Sequence, residues 1–110
     1  MTPQEILKNP NDKLIAVDID GVLTMPDCEC WTPESCLVAT PNQKAIDYVN
    51  ELYNKGAHII IYTARKENMR QETEYWLRKH QVRKHGLTME KQGFDLLIED
   101  KAININDIKL

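Results

Sequence analysis

The sequence predicts an α/β fold, a three-layer α/β/α sandwich around a parallel sheet, and three observations carry that reading. Three short apolar runs punctuate the chain, each ends in a polar cluster, and the stretches between them show helical periodicity. Leu14-Ile15-Ala16-Val17 runs into Asp18, Ile59-Ile60-Ile61-Tyr62 into Thr63, and Phe94-Asp95-Leu96-Leu97-Ile98 into Glu99-Asp100. Runs of four or five without alternation suit strands buried on both faces, which is what a helix-covered parallel sheet requires.

The first connection holds a well-marked helix. Thr40-Pro41-Asn42-Gln43 offers a capping-box pattern, with Thr40 as N-cap, Pro41 at the first helical position and Gln43 able to reach back. Ala45, Ile46, Val49, Leu52 and Tyr53 then share one face, and Gly56 supplies the stop. In the second connection Met69, Thr73, Trp76, Leu77 and His80 fall at helical spacing, which predicts a helix over about residues 67–80. Residues 24–40, TMPDCECWTPESCLVAT, have two Pro, three Cys and no periodicity, and read as a loop with one helical turn. Strand, helix, strand, helix, strand with right-handed crossovers places all three strand ends at one edge of the sheet.

Composition narrows the class. With 110 residues the expectation is one domain, 1–110, and a modest core. A hydrophobic share of 42% beside 28% charged residues is ordinary for a globular chain and argues against disorder. Neither a membrane span nor a secretory leader is visible, so the expectation is a cytoplasmic protein. The net charge of −3 and the single Phe speak against a general nucleic-acid coat, so nucleic acid is not an expected partner.

Ligands of open α/β sheets bind outside the carboxyl ends of the strands, where Asp18, Thr63 and Glu99-Asp100 would converge. Asp18-Ile19-Asp20-Gly21 is the sharpest fragment: one carboxylate at a strand end, a second two residues on, and a Gly that allows a tight turn. Alone, that fragment suits a plain turn equally well. Beside the other clusters, the turn reading loses ground.

LIAVDIDGVLT resembles the first motif of the haloacid dehalogenase (HAD) superfamily of phosphatases and phosphotransferases, with Asp18 and Asp20 at its two acids. IIIYTAR resembles the second motif, with Thr63 at its hydroxyl residue. In MEKQGFDLLIEDKA, Lys91 matches the third-motif lysine and Glu99-Asp100 the acidic pair of the fourth. The order is the family's, over about residues 13–102. LVATPNQKAIDYVNELYNKGAHIIIYTAR is also similar to small capless members associated with capsule or surface-polysaccharide biosynthesis, although Glu99 and Gln92 depart from that group's usual Asp and Pro. The resemblance implies a Rossmann-like, HAD-like core without a cap domain, residues 24–40 standing in the cap's place.

It also implies a mechanism: a Mg²⁺-dependent phosphatase acting through an aspartyl-phosphate. A carboxylate that attacks an anionic monoester needs a cation against repulsion, and Mg²⁺ takes a few carboxylates plus waters and substrate oxygens. Asp18 is the expected nucleophile and a metal ligand. Asp20 is the expected acid and base, its carbonyl a second ligand. Asp100 completes the metal set, with Glu99 behind it. Thr63, Ala64, Arg65 and Lys91 form the expected substrate-contacting group, Lys91 offsetting charge on Asp18 and the phosphoryl group. For Arg65 a solvated surface position is an equal alternative.

The first expectation for the substrate is a small phosphorylated metabolite, such as a sugar phosphate. A nucleotide or polynucleotide end is the alternative within the enzyme class. A non-catalytic phosphate-binding or assembly subunit is the alternative outside it. Without a cap, either a neighbouring subunit or a large substrate must cover the site, and the sequence favours a homodimer or homotetramer in which the Cys28 to Cys36 loop, with Trp31, packs near the site. Cys28, Cys30 and Cys36 match no common zinc spacing and read as reduced thiols rather than a metal site. Arg78, Lys79, His80, Arg83, Lys84 and His85 read as a solvated helix end, or else as an anion-attracting rim beside the site. His58 reads as a packed histidine, Trp76 as core, and Trp31 and Tyr62 as pocket walls.

Overall fold

The computed structural model describes residues 2–26 and 32–108. A three-stranded parallel sheet in the order β1-β2-β3 lies at its centre, built from β1 (Leu14–Val17), β2 (His58–Tyr62) and β3 (Gly86–Thr88). Leu14 pairs with His58 and Val17 with Ile61, while Ile60 pairs with Gly86 and Tyr62 with Thr88. Because every pairing is parallel, Asp18, Thr63 and the Met89 to Lys91 segment all leave the same edge. The sequence placed that convergence correctly for two of its three apolar runs.

The third run behaves differently. Residues 94–98 form no strand, and Phe94, Leu96, Leu97 and Ile98 are all exposed. The third strand is instead Gly86–Thr88, a segment too short to show periodicity. It is set in place by neighbours: the His85 amide donates to the Ile59 carbonyl at 2.8 Å, and the Ile59 amide donates to His85 Nδ1 at 2.9 Å. β1 also departs from expectation. Only Val17 in it is buried, because β1 pairs with β2 alone and forms an edge of the sheet.

The helices are α1 (Pro3–Lys8), α2 (Pro33–Leu37), α3 (Gln43–Asn54) and α4 (Arg70–Lys79). The capping box of α1, between Thr2 and Glu5, is legible in the sequence but precedes too short an apolar pattern to announce a helix. α2 is the single helical turn expected within residues 24–40. The start of α3 is corrected from Thr40 to Asn42, whose side chain accepts from the Ala45 amide. Thr40 and Pro41 are extended instead, with Pro41 bridged to Thr24 and the Thr40 carbonyl accepting from Met25 N. This tie closes the excursion after β1. Gly56 ends α3 at φ +100, as expected, against the Asn11 side chain.

The core lies between α3, α4 and the sheet. Ile46, Ile59, Ile61, Trp76 and Leu77 are buried at its centre, and Trp76 Nε1 donates to the Ala39 carbonyl at 2.8 Å. A buried indole needs such a partner, and this one fastens α4 to the segment preceding α3. α2 packs against α4, and Cys36 Sγ lies 3.9 Å from Met69 Sδ in the turn just before α4. Cys36 is buried and disulfide-bonded, which corrects the reduced-thiol expectation for that residue. Cys28, Cys30 and Trp31 lie outside the described residues.

Candidate active site

The turn after β1 winds around one acceptor. The amides of Val22, Leu23 and Thr24 all approach the Ile19 carbonyl, at 3.1, 2.8 and 3.1 Å. Gly21, at φ +80, makes the reversal, and its amide donates to Thr24 Oγ1 at 3.0 Å. Ile19, Leu23 and Thr24 are fully buried, so the turn is anchored from below. Asp18 and Asp20 flank Ile19 on this frame and remain partly open to solvent.

Each carboxylate meets one cation from another loop. Asp18 Oδ1 accepts from the Ile19 amide at 2.8 Å, and its Oδ2 accepts from Lys91 Nζ at 3.2 Å. Asp20 is held bidentately by Arg65: Nε donates to Oδ2 at 3.1 Å and NH2 to Oδ1 at 2.8 Å. The third donor of that guanidinium, NH1, reaches Thr73 Oγ1 on α4 at 3.0 Å. The Arg65 side chain is only 2% exposed, which corrects the solvated-surface alternative. Its donors face Asp20 and Thr73, so its visible role is to position a carboxylate.

The cations are themselves fixed by the loops after β2 and β3. The Thr63 amide donates to the Thr88 carbonyl at 3.0 Å, the Lys91 amide to the Thr63 carbonyl at 2.9 Å, and the Glu90 amide to the Arg65 carbonyl at 2.8 Å. Thr63 is fully buried, its Oγ1 accepting from the Arg65 amide at 3.2 Å. Ala64 is exposed beside it. Lys91 Nζ lies 5.5 Å from the centre of the Tyr62 ring.

Glu99 and Asp100 are exposed on the irregular stretch that replaces the third predicted strand, and Glu99 Oε2 accepts from the Lys101 amide at 2.7 Å. Among the described residues, no three acids, histidines or cysteines cluster to hold a metal. The donors that do stand at the end of β1, a carboxylate from Asp18 and the backbone carbonyl of Asp20, are hard oxygens. That donor chemistry fits a Mg²⁺ ion that keeps waters and substrate oxygens for its remaining positions. Arg65 occupies both Asp20 carboxylate oxygens, which leaves the carbonyl as that residue's contribution.

Two expectations outside the site are also corrected. His58 is exposed, not packed inside, and stacks on His85 with ring centres 4.1 Å apart. The basic stretch 78–85 runs from the last turn of α4 to the start of β3, at the opposite edge of the sheet from Asp18, so it is no rim of this site.

No helix among the described residues is long and apolar enough to cross a membrane. No curated protein matches the sequence significantly. A solved structure from Vibrio cholerae is similar, with a TM-score of 0.69 at 26% identity, covering 86% of this chain and 85% of that one. Two structures of the Pnkp1/Rnl/Hen1 complex, one described as an RNA repair complex, give TM-scores of 0.64 and 0.63 at 19% and 20% identity. They cover 81% and 72% of this chain, which spans 31% and 25% of theirs, and the likeness is one of fold. The family described as the polynucleotide kinase PNKP phosphatase domain matches residues 12–102, from the turn before β1 past Asp100. With that match over most of its length, the chain belongs to the PNKP phosphatase domain family of the HAD superfamily and is a phosphatase.

Proposed function

We propose that this phosphatase removes a phosphate monoester from the end of a nucleotide or polynucleotide, with Asp18 as nucleophile and Asp20 as acid and base. The observation that carries the reading is the pair of carboxylates on one turn, each bound by a single cation from a different strand end: Lys91 on Asp18 and Arg65 on Asp20. The family match moves the substrate from a sugar phosphate, the first expectation, towards a polynucleotide end. A net charge of −3 argues against coating a duplex, but capture of one terminal phosphate needs few cations.

In this mechanism Asp18 attacks phosphorus while Asp20 gives a proton to the departing alkoxide oxygen, leaving an aspartyl-phosphate on Asp18. Asp20, now deprotonated, takes a proton from the water that attacks this intermediate, and phosphate is released. Lys91 offsets the charge that collects between Asp18 and the phosphoryl oxygens. Thr63 holds the Arg65 amide and so keeps the second cation aimed at Asp20. Asp18, the Asp20 carbonyl and Asp100 would hold a Mg²⁺ ion, which would supply additional positive charge to the phosphoryl oxygens.

A phosphate-release screen tests the reading across 3′-phosphorylated oligonucleotides, mononucleotides and sugar phosphates, each with Mg²⁺ and with EDTA. The expected result is turnover highest on the polynucleotide end and lost in EDTA. Preference for sugar phosphates would return the substrate to the first expectation.

A further inference from the structure

At the edge of the sheet opposite Asp18 lies a groove of about 270 Å³ between the end of α3, the end of α4 and the approach to β3. Leu77 and Val82 form its apolar floor, and Arg78, Arg83 and Lys84 its charged walls. Residues 78–85 contain four Lys and Arg and no carboxylate, in a chain of net charge −3, which leaves −7 for everything else. Glu74 is the single acid among the described residues that line the groove, and it pairs with Lys84 at 3.1 Å. Arg78 is exposed, and its side chain bonds to no described residue.

An aromatic column stands beside these charges. The Arg83 guanidinium lies 4.5 Å over the Tyr53 ring, Tyr53 stacks at 4.6 Å on His85, and His85 at 4.1 Å on His58. Both histidines are exposed. The column is held in place, since Arg83 NH1 donates to Asn54 Oδ1 and the Ile59 amide to His85 Nδ1. The rings cover one another along the column and leave the outer face of exposed His58 at its end, so a single strand can lay its phosphates along the charges and one base against that face. Acidic peptides would use the charges but leave the column idle.

We propose that this groove binds the body of a single-stranded polynucleotide whose terminal phosphate lies at Asp18, an inference that rests on the polynucleotide-end reading. Groove and site are separated by the five residues of β2, about 16 Å at roughly 3.3 Å per residue.

The test measures anisotropy of a fluorescent single strand of about 20 nucleotides that carries no terminal phosphate, at about 50 and about 200 mM salt. Wild-type protein is expected to bind with marked salt dependence. Arg78→Glu is expected to weaken binding about tenfold and to lower the salt slope by about one, with the thermal midpoint as control for folding. Arg78→Gln, which removes charge without adding an acid at a helix end, is expected to show the same slope change. Absence of wild-type binding, binding by both variants as tight as by the wild type, or displacement of the strand by polyglutamate as readily as by unlabelled strand would each overturn the proposal. Release of phosphate from 3′-phosphorylated strands by a protein that does not bind the unphosphorylated strand would overturn the groove and leave the end-phosphatase reading standing. Strand binding that depends on Arg78, without phosphate release from any polynucleotide, would support the groove and sink that reading.

Discussion

Arg65 grips Asp20 with two donors, at 3.1 and 2.8 Å, while its third is tied to Thr73 at 3.0 Å. The guanidinium is buried and the Asp20 side chain is 39% exposed, so the rigid partner is the cation and the wet partner is the acid. A planar fork fixes both distance and plane of a carboxylate, which a lysine ammonium cannot do. Asp20 is thereby aimed without being sealed from water. In the proposed cycle the fork must loosen at one oxygen when Asp20 carries the proton it gives.

Arg65→Lys keeps the charge and loses the fork. The expected outcome is a kcat lower by roughly tenfold to a hundredfold on substrates with alkyl leaving groups, and a smaller loss on an activated aryl phosphate that departs without protonation. Asp20→Asn should show the same leaving-group pattern more strongly. Equal losses on both substrates would show that Arg65 acts on something other than proton transfer. Arg65→Ala should also cost about 1–3 kcal/mol in chemical denaturation, because the Thr73 hydroxyl is left buried without its donor.

Asp18→Asn should abolish turnover and leave the fold intact, because amide and carboxylate are nearly isosteric and Asp18 is only half-buried. Beryllofluoride with Mg²⁺ should protect the wild type against thermal unfolding and give no shift in the variant. Normal turnover by Asp18→Asn would remove the covalent mechanism.

Asp100 is exposed, one residue beyond Glu99 on an irregular stretch. If it joins Asp18 around Mg²⁺ during turnover, Asp100→Ala should raise the Mg²⁺ concentration for half-maximal activity by about tenfold or more, with Glu99→Ala giving the milder change. An unchanged Mg²⁺ dependence in both variants would take the acidic pair out of the metal site.

His80 caps the end of α4 against Trp76, ring centres 4.5 Å apart. Burial, and secondarily the charge of Lys79, push its pKa below the usual histidine value. The unfolded chain therefore takes up a proton near pH 6.5 that the folded chain resists. This contribution to stability is complete above about pH 6.5 and is lost as pH falls towards the lowered folded value. The fall in thermal midpoint between about pH 7.5 and about pH 5.5 should be smaller in His80→Gln than in the wild type. An identical fall in both would assign the acid sensitivity elsewhere.

The sequence by itself determined the parts governed by local chemistry: β1 and β2 from unbroken apolar runs, α3 and α4 from their periodicity, and the first carboxylate pair from its place at a strand end. A strand-end position also pointed to Thr63, and the resemblance to the third motif pointed to Lys91, on the other side of α4. Tertiary structure decided the rest. Gly86–Thr88 becomes a strand because β2 offers it a free edge, whereas the more apolar 94–98 stays exposed. Thr40 and Pro41 lose their capping role to a bridge with Thr24, a contact across 17 positions that no local pattern encodes. Arg65 is the clearest case. Its neighbours in sequence suit a surface position, and only the approach of Asp20 from β1 and Thr73 from α4 makes burial of its charge tolerable, since a guanidinium can leave water only where other groups replace its hydration.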